Sequence, residues 1–185
     1  MLKHKSTKNL LAESMKTLAK HKSVEKITIQ DIVQNCGLTK TTFYNHFHDK
    51  YDLVSWIYST SAEKIMNQID SNGYEWKDSL SDGINYFIDN KEFLKNLILH
   101  TSGQNSFINY VAQFNIKILS DYIKRSNNIT DLSDDIKILL KMYCYGTVCF
   151  LCEFLTKPTS TPIDELVKLF ERALPEPLKK FYQFI

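Results

Sequence analysis

The residues with the most chemistry to offer lie between Thr28 and Lys50, in the string TIQDIVQNCGLTKTTFYNHFHDK. At helical spacing, Ile29, Ile32, Val33, Leu38, Phe43 and Phe47 form one apolar side and leave Gln30, Lys40, Thr41, Tyr44, Asn45 and His46 on the other. A helix, a turn at Gly37 and a second short helix have the form of a helix-turn-helix. The amides, hydroxyls and cation on its outer side are groups that hydrogen-bond to base edges in a major groove and hold phosphates. The bland alternative is a helical corner that only packs. Enzymatic chemistry finds little to work with elsewhere: there is no GxSxG, no HExxH and no Gly-rich phosphate loop. Cys149-x-x-Cys152 has redox or metal-ligand spacing, but without a second such pair or a nearby His it reads as buried thiols. No catalytic residue, metal ligand or cofactor is expected.

These groups need helices to position them, and the pattern supplies helices throughout. Leu10, Leu11, Met15, Leu18 and Ala19 define a first amphipathic helix from Ser6 to His21. Thr28, with Asp31 three residues on, caps a second that ends at Cys36-Gly37. Thr39 caps a third segment, Lys40 to Phe47, and Asp49 a long fourth one with Leu53, Ile57, Ile65 and Ile69 on one face. Further helices are expected at 76–89, 91–101, 105–126, 133–156, 163–173 and 176–183. The fold class is all-α. Residues 1–51 are read as a helix-turn-helix domain and 52–185 as a helical dimerisation and signal-receiving domain.

Composition agrees. The 185 residues include only 5 Gly and 4 Pro beside 11 Phe and 10 Tyr, which disfavours sandwiches, barrels and Gly-rich nucleotide-binding folds. With 43% hydrophobic and 24% charged residues and a mean hydropathy of -0.28, neither a disordered nor a membrane protein is expected. The formal charge of +2 hides an asymmetry: residues 1–50 carry +5 and residues 51–185 carry -3. His4, His21, His46 and His48 share that basic stretch, so a polyanion-facing N-terminal module is expected, with a solvated basic face as the alternative. Lys3, His4 and Lys5 read as an arm toward phosphates or as a frayed tail. The basic start is followed by Glu13, Lys16 and Lys20 and not by an apolar run, and the uncharged stretch Met142–Cys152 is short for a spanning helix. A cytoplasmic protein without an export signal is the expectation.

The string GLTKTTFYNHFHDKYDLV, together with the first helix, Thr28 and the Asp49-Lys50 start of the fourth, resembles the recognition region of TetR-family bacterial transcriptional regulators over about residues 6–57. The resemblance implies a three-helix DNA-binding head on a larger helical domain that forms a homodimer and receives an effector. It places Thr28, Thr42, Tyr44, His46 and Lys50 on phosphates of a double-stranded operator, and Lys40, Thr41, Asn45 and Gln30 near base edges. Helix N-termini already attract phosphate, so Thr28 and Lys50 add to an existing anion site. Val33 and Asn35-Cys36 stand where the family often has small residues.

In the second half, Tyr143, Gly146, Phe150 and Phe154 set large side chains around a small one, and Ile163, Leu166, Val167, Phe170 and Leu174 make a second stripe. Two such helices per subunit suit a four-helix dimer interface; the alternative buries both in their own subunit. His100, Gln104, Asn105, Phe107 and Tyr110 gather at one helix junction as an effector or partner site. The string NKEFLKNLILHTSGQNSF is similar to TetR-like regulators of dihydroxyacetone-kinase operons. That likeness implies an activator signalled through a kinase-like partner protein, with Gln104 and Phe107 at a docking surface, in place of a repressor released by a small molecule. An all-helical carrier or enzyme, and an adaptor without DNA binding, are the rival classes.

Overall fold

Short polar caps and regular apolar spacing set the helices of the chain. In a computed structural model, which describes residues 6–69, 71–103, 106–157 and 161–181, ten α-helices and no strand occur among the described residues. They are α1 (Thr7–Leu18), α2 (Ile29–Asn35), α3 (Lys40–Tyr44), α4 (Lys50–Met66), α5 (Trp76–Asp89), α6 (Lys91–His100), α7 (Phe107–Ser126), α8 (Asp134–Thr156), α9 (Ile163–Ala173) and α10 (Glu176–Lys179). A 3-10 turn at Val24–Lys26, which the sequence reading does not anticipate, joins α1 to α2. The arm residues Lys3, His4 and Lys5 lie outside the described residues.

Two buried clusters hold the helices together. The larger runs without a break from the head into the bundle, from Leu11, Ile32 and Phe43 through Leu53 and Ile57 to Leu94, Leu97 and Leu166. Each such side chain taken out of water contributes about 1.5–3 kcal/mol. A second cluster around Ile123, Leu140, Cys144 and Leu178 closes the far end of the bundle. The single helix α4 packs on α1 at one end and on α5 and α7 along its length, so the 51/52 boundary falls within its first turn.

The C-terminal stripes divide differently from their reading in sequence. Tyr143, Leu166 and Phe170 are buried in their own subunit, and the Tyr143 hydroxyl donates to Phe170 O at 3.0 Å, so these three are core and not interface residues. Gly146 and Phe150 are exposed and Phe154 is half-buried. The outer face of α8 also presents Ile138 and Met142, 59% and 66% exposed, with Leu169 of α9 beside them in type and exposure. Helical spacing identifies a stripe but not which side of it meets the protein's own core. The thiol reading is corrected in the same way: Cys152 is buried, its thiol pushed up to about 12 by burial, whereas Cys149 is exposed. By length and composition α8 is apolar enough to cross a membrane, beyond what the Met142–Cys152 stretch indicates. Its inner face is occupied by core packing, with Ile136, Leu140, Val148 and Leu155 all buried.

Candidate nucleic-acid interface

The helix-turn-helix is fixed by local chemistry at each end. Thr28 Oγ1 accepts from Asp31 N at 3.1 Å and Asp31 Oδ2 accepts from Thr28 N at 2.8 Å, a reciprocal capping box that starts α2. Lys22 Nζ adds a 2.6 Å ion pair to the same carboxylate. The helix ends in a Schellman turn, with Leu38 N donating to Val33 O and Gly37 N to Gln34 O, while Gly37 takes φ +69°, a conformation that favours glycine. Thr39 then caps α3 through Thr42 N, and its hydroxyl lies 2.9 Å from that of Thr42.

That frame decides which side chains face out. Ile32, Val33, Phe43 and Phe47 are buried, and Ile29 and Leu38 are partly buried against them. Gln30, Lys40, Thr41, Tyr44, Asn45 and His46 are exposed together, with Thr28 exposed and Thr42 half-buried. Tyr44 is 56% exposed although its ring sits edge-on to Phe43 at 5.7 Å, so its hydroxyl end is free to meet a phosphate or a base. Lys8 bridges α1 to the other elements by lying over the rings of Phe47 and Trp56 at 5.4 and 5.6 Å.

The Asp31 carboxyl is held at about 2, chiefly by Lys22 and then by the Thr28 backbone and hydroxyl. A folded value below the ordinary 3.8 means that its contribution to stability is present above that pH and is lost as pH falls toward 2. Asp31→Asn is therefore expected to lower the melting temperature at pH 7 and to flatten its decline between pH 4 and 2. Thermal unfolding across that range measures it, and an unchanged acid limb would contradict the role given to the capping box.

Lys50 has more to do than its sequence position implies. Its Nζ donates to Glu25 O at 2.6 Å and to Ile27 O at 2.9 Å, tying the start of α4 to the 3-10 turn that precedes α2. Burial lowers its pKa, with Glu25 and Asp49 opposing. An ammonium has three protons, so one remains for a phosphate. Lys50→Ala is expected to destabilise the DNA-free protein by about 1–3 kcal/mol as well as weakening DNA binding. Urea unfolding separates the two: unchanged stability would mean that these bonds contribute nothing.

Several positioning residues escape sequence reading. Ser14 Oγ, buried on α1, donates to Ile32 O at 2.7 Å and accepts from Asn35 Nδ2 at 3.0 Å, so Asn35, one of the departures from the usual family pattern, clips α2 onto α1. Asn96 of α6 accepts from Val24 N and donates to Ala19 O and Lys22 O, all within 2.8 Å. Lys16 Nζ donates to Asn90 Oδ1 at 2.9 Å. No spacing rule announces these, because each links elements more than fifteen residues apart.

The α6–α7 junction is corrected. Phe107 is 3% exposed, a core residue whose N–H is taken by Thr101 Oγ1, and so presents no docking surface, whereas Tyr110 is half-buried and donates to Ser55 O at 3.1 Å. His100 is exposed beside Leu99, which is 58% exposed. Gln104 and Asn105 lie outside the described residues. Among the described residues no group of three potential metal ligands comes together.

A three-helix head with a capped helix-turn-helix, set on a helical bundle, is the architecture of a helix-turn-helix transcriptional regulator. Residues 11–56 match the description "Bacterial regulatory proteins, tetR family" and residues 74–176 match "Transcriptional regulator C-terminal region". The chain belongs to the TetR family of transcriptional regulators, which are not enzymes and which bind DNA operators, usually as dimers. It is 25% identical over 122 residues to the HTH-type dhaKLM operon transcriptional activator DhaS of Lactococcus lactis subsp. lactis (strain IL1403), a match spanning 65% of each protein and so less than two thirds of that relative. Among solved structures, the dihydroxyacetone kinase operon activator DhaS superposes with a TM-score of 0.67 at 21% identity, covering 96% of this chain and 98% of that one. The TetR-family repressor AlkX from Dietzia sp. strain DQ12-45-1b gives 0.56 at 18% identity, over 96% and 98%. An activator and a repressor thus share the architecture.

Proposed function

We propose that the chain binds a palindromic operator as a homodimer, with α3 of each protomer in a major groove. Lys40, Thr41, Asn45 and Gln30 read base edges, and Thr28, Thr42, Tyr44, His46 and Lys50 hold phosphates. The observation that carries this reading is the shared exposure of the polar side chains of α2 and α3 over a buried apolar side. An excess of Lys in the first fifty residues supplies the field that attracts a polyanion. The exposed apolar line Ile138, Met142 and Phe150, with Gly146 within it, supports pairing of two copies through α8 and α9. Such a regulator acts in the cytoplasm, where its DNA is. Similarity to an operon activator favours activation over repression. A second reading of the signal, a kinase-like partner protein docking at the end of α6, is favoured by Leu99 and His100, exposed side by side there.

Selection from random duplexes followed by fluorescence anisotropy tests the DNA-binding reading. The selected sites are expected to be two-fold symmetric with half-site centres about one helical turn or slightly more apart, and log K is expected to fall linearly with log salt. Binding without sequence preference at any salt concentration would contradict it.

A further inference from the structure

The first turn of a helix is an unfavourable place for a cation, because its unpaired N–H groups already carry positive partial charge. Lys8 stands there in α1, and no acidic residue stands in that turn to offset it. Two rings do so instead. The Lys8 ammonium lies 5.4 Å from the centroid of Phe47 and 5.6 Å from that of Trp56, within the range at which an aromatic face attracts a cation. Phe47 follows α3 and Trp56 belongs to α4, so one side chain of α1 spans both elements at the end of the helix-turn-helix. The two rings contact each other at 5.8 Å; Phe47 is buried, and Lys8 and Trp56 are half-buried.

From Phe47 the contacts continue into α3. Phe47 packs at 5.8 Å on Phe43, and Phe43 meets the Tyr44 ring edge-on at 5.7 Å. The His46 ring lies 6.5 Å from that of Phe47. With five residues, α3 is too short to hold its own shape, so the side chains packed against its C-terminal end fix where Tyr44, Asn45 and His46 are presented. Charge alone would count Lys8 among the residues that meet a polyanion. Its two ring contacts give it another task.

We propose that Lys8 is a positioning residue for DNA reading: it clasps Phe47 to Trp56 and, through Phe43, holds the C-terminal end of α3, without itself contacting a phosphate. This rests on the reading of α3 as the helix that enters a major groove. The clasp needs a positive charge on a side chain long enough to lie over both rings. Arginine can therefore replace Lys8, and an uncharged side chain of similar length cannot.

Full-length Lys8→Met, Lys8→Arg, Trp56→Leu and the Lys8→Met/Trp56→Leu pair test it by fluorescence anisotropy on a selected operator across a salt series, with circular dichroism and sedimentation velocity to show that each is folded and assembled like the wild type. Lys8→Met is expected to lower operator affinity by about three- to tenfold with an unchanged slope of log K against log salt, and Lys8→Arg to stay within about twofold of the wild type. The pair is expected to lose no more than the worse single variant, because both substitutions remove one interaction. The comparison of Lys8→Met with Lys8→Arg stands by itself if Trp56→Leu fails to fold. The chain has two tryptophans, so a change in emission on Lys8→Met that vanishes in a Trp56→Phe background reports the clasp without DNA. A salt slope reduced by roughly one counterion in Lys8→Met would make Lys8 a phosphate ligand and overturn the proposal. So would additive losses in the pair, unchanged affinity in Lys8→Met, or an equal loss in Lys8→Arg. A wild-type chain without sequence preference would refute the regulator reading instead, and the emission change would then decide whether the clasp exists.

Discussion

Met142→Glu combined with Phe150→Glu is expected to give a folded monomer whose affinity for an operator is lower by a factor of about 100 or more. Both side chains are exposed on the outer face of α8, at 66% and 46%, so charging them costs the free subunit little. In a two-fold dimer each substitution appears twice in one patch, and four carboxylates would be buried there without partners. Losing the dimer removes the tethering of one head to the other, which is worth about 10²–10⁴ in affinity. Sedimentation velocity and circular dichroism measure the outcome. Phe170→Glu is the instructive contrast: Phe170 is 7% exposed, contacts Phe150 edge-on at 6.1 Å and lies in the core, so that change is expected to unfold the chain. A double α8 variant that remains dimeric at micromolar concentration would place the interface elsewhere.

Thr41→Ala and Asn45→Ala are each expected to relax preference at particular base pairs by about 1–3 kcal/mol, or about 5- to 150-fold, without changing stability. Both residues are exposed, so neither substitution disturbs the buried side formed by Phe43 and Phe47. On the proposed reading each removes hydrogen-bonding atoms that meet a base edge in the complex, so the expected loss depends on sequence. Lys50→Ala, acting at the backbone of the turn and on phosphate, should weaken binding to every duplex alike and reduce the salt slope by roughly one counterion. Binding to a panel of singly substituted operators distinguishes them. Uniform losses for Thr41→Ala and Asn45→Ala would remove the reading face from α3.

How far the molecule is legible in its sequence depends on the range of the interaction. The helix of residues 76–89 and the caps Thr28, Thr39 and Asp49 are local matters, set by side chains that bond within three residues of themselves, and they fall where spacing puts them. The exposed polar side of α2 and α3 is legible for the same reason: both helices are short, and their apolar residues have only one side on which to pack. The 3-10 turn at Val24–Lys26 carries no periodic signal in three residues. The engagements of Lys50 with Glu25 O and of Asn96 with Val24 N depend on the tertiary approach of distant segments. Tyr143, Leu166 and Phe170 show the limit most clearly. Their spacing marks an apolar stripe, but whether such a stripe meets its own subunit or a partner depends on how α9 lies against α5 and α8. Phe107 is misplaced as a docking residue because a helix start beside a loop looks exposed in sequence, whereas Thr101 and the core draw it inward.

Pull-down of fragmented bacterial genomic DNA by the purified wild-type protein, with the Thr41→Ala/Asn45→Ala double variant in parallel, tests the central claim most directly. The account predicts enrichment of a small set of promoter fragments that share one palindrome, lost in the double variant although that protein remains a folded dimer. The same fragments recovered equally by both proteins, or no shared palindrome among them, would contradict a sequence-reading face on α3.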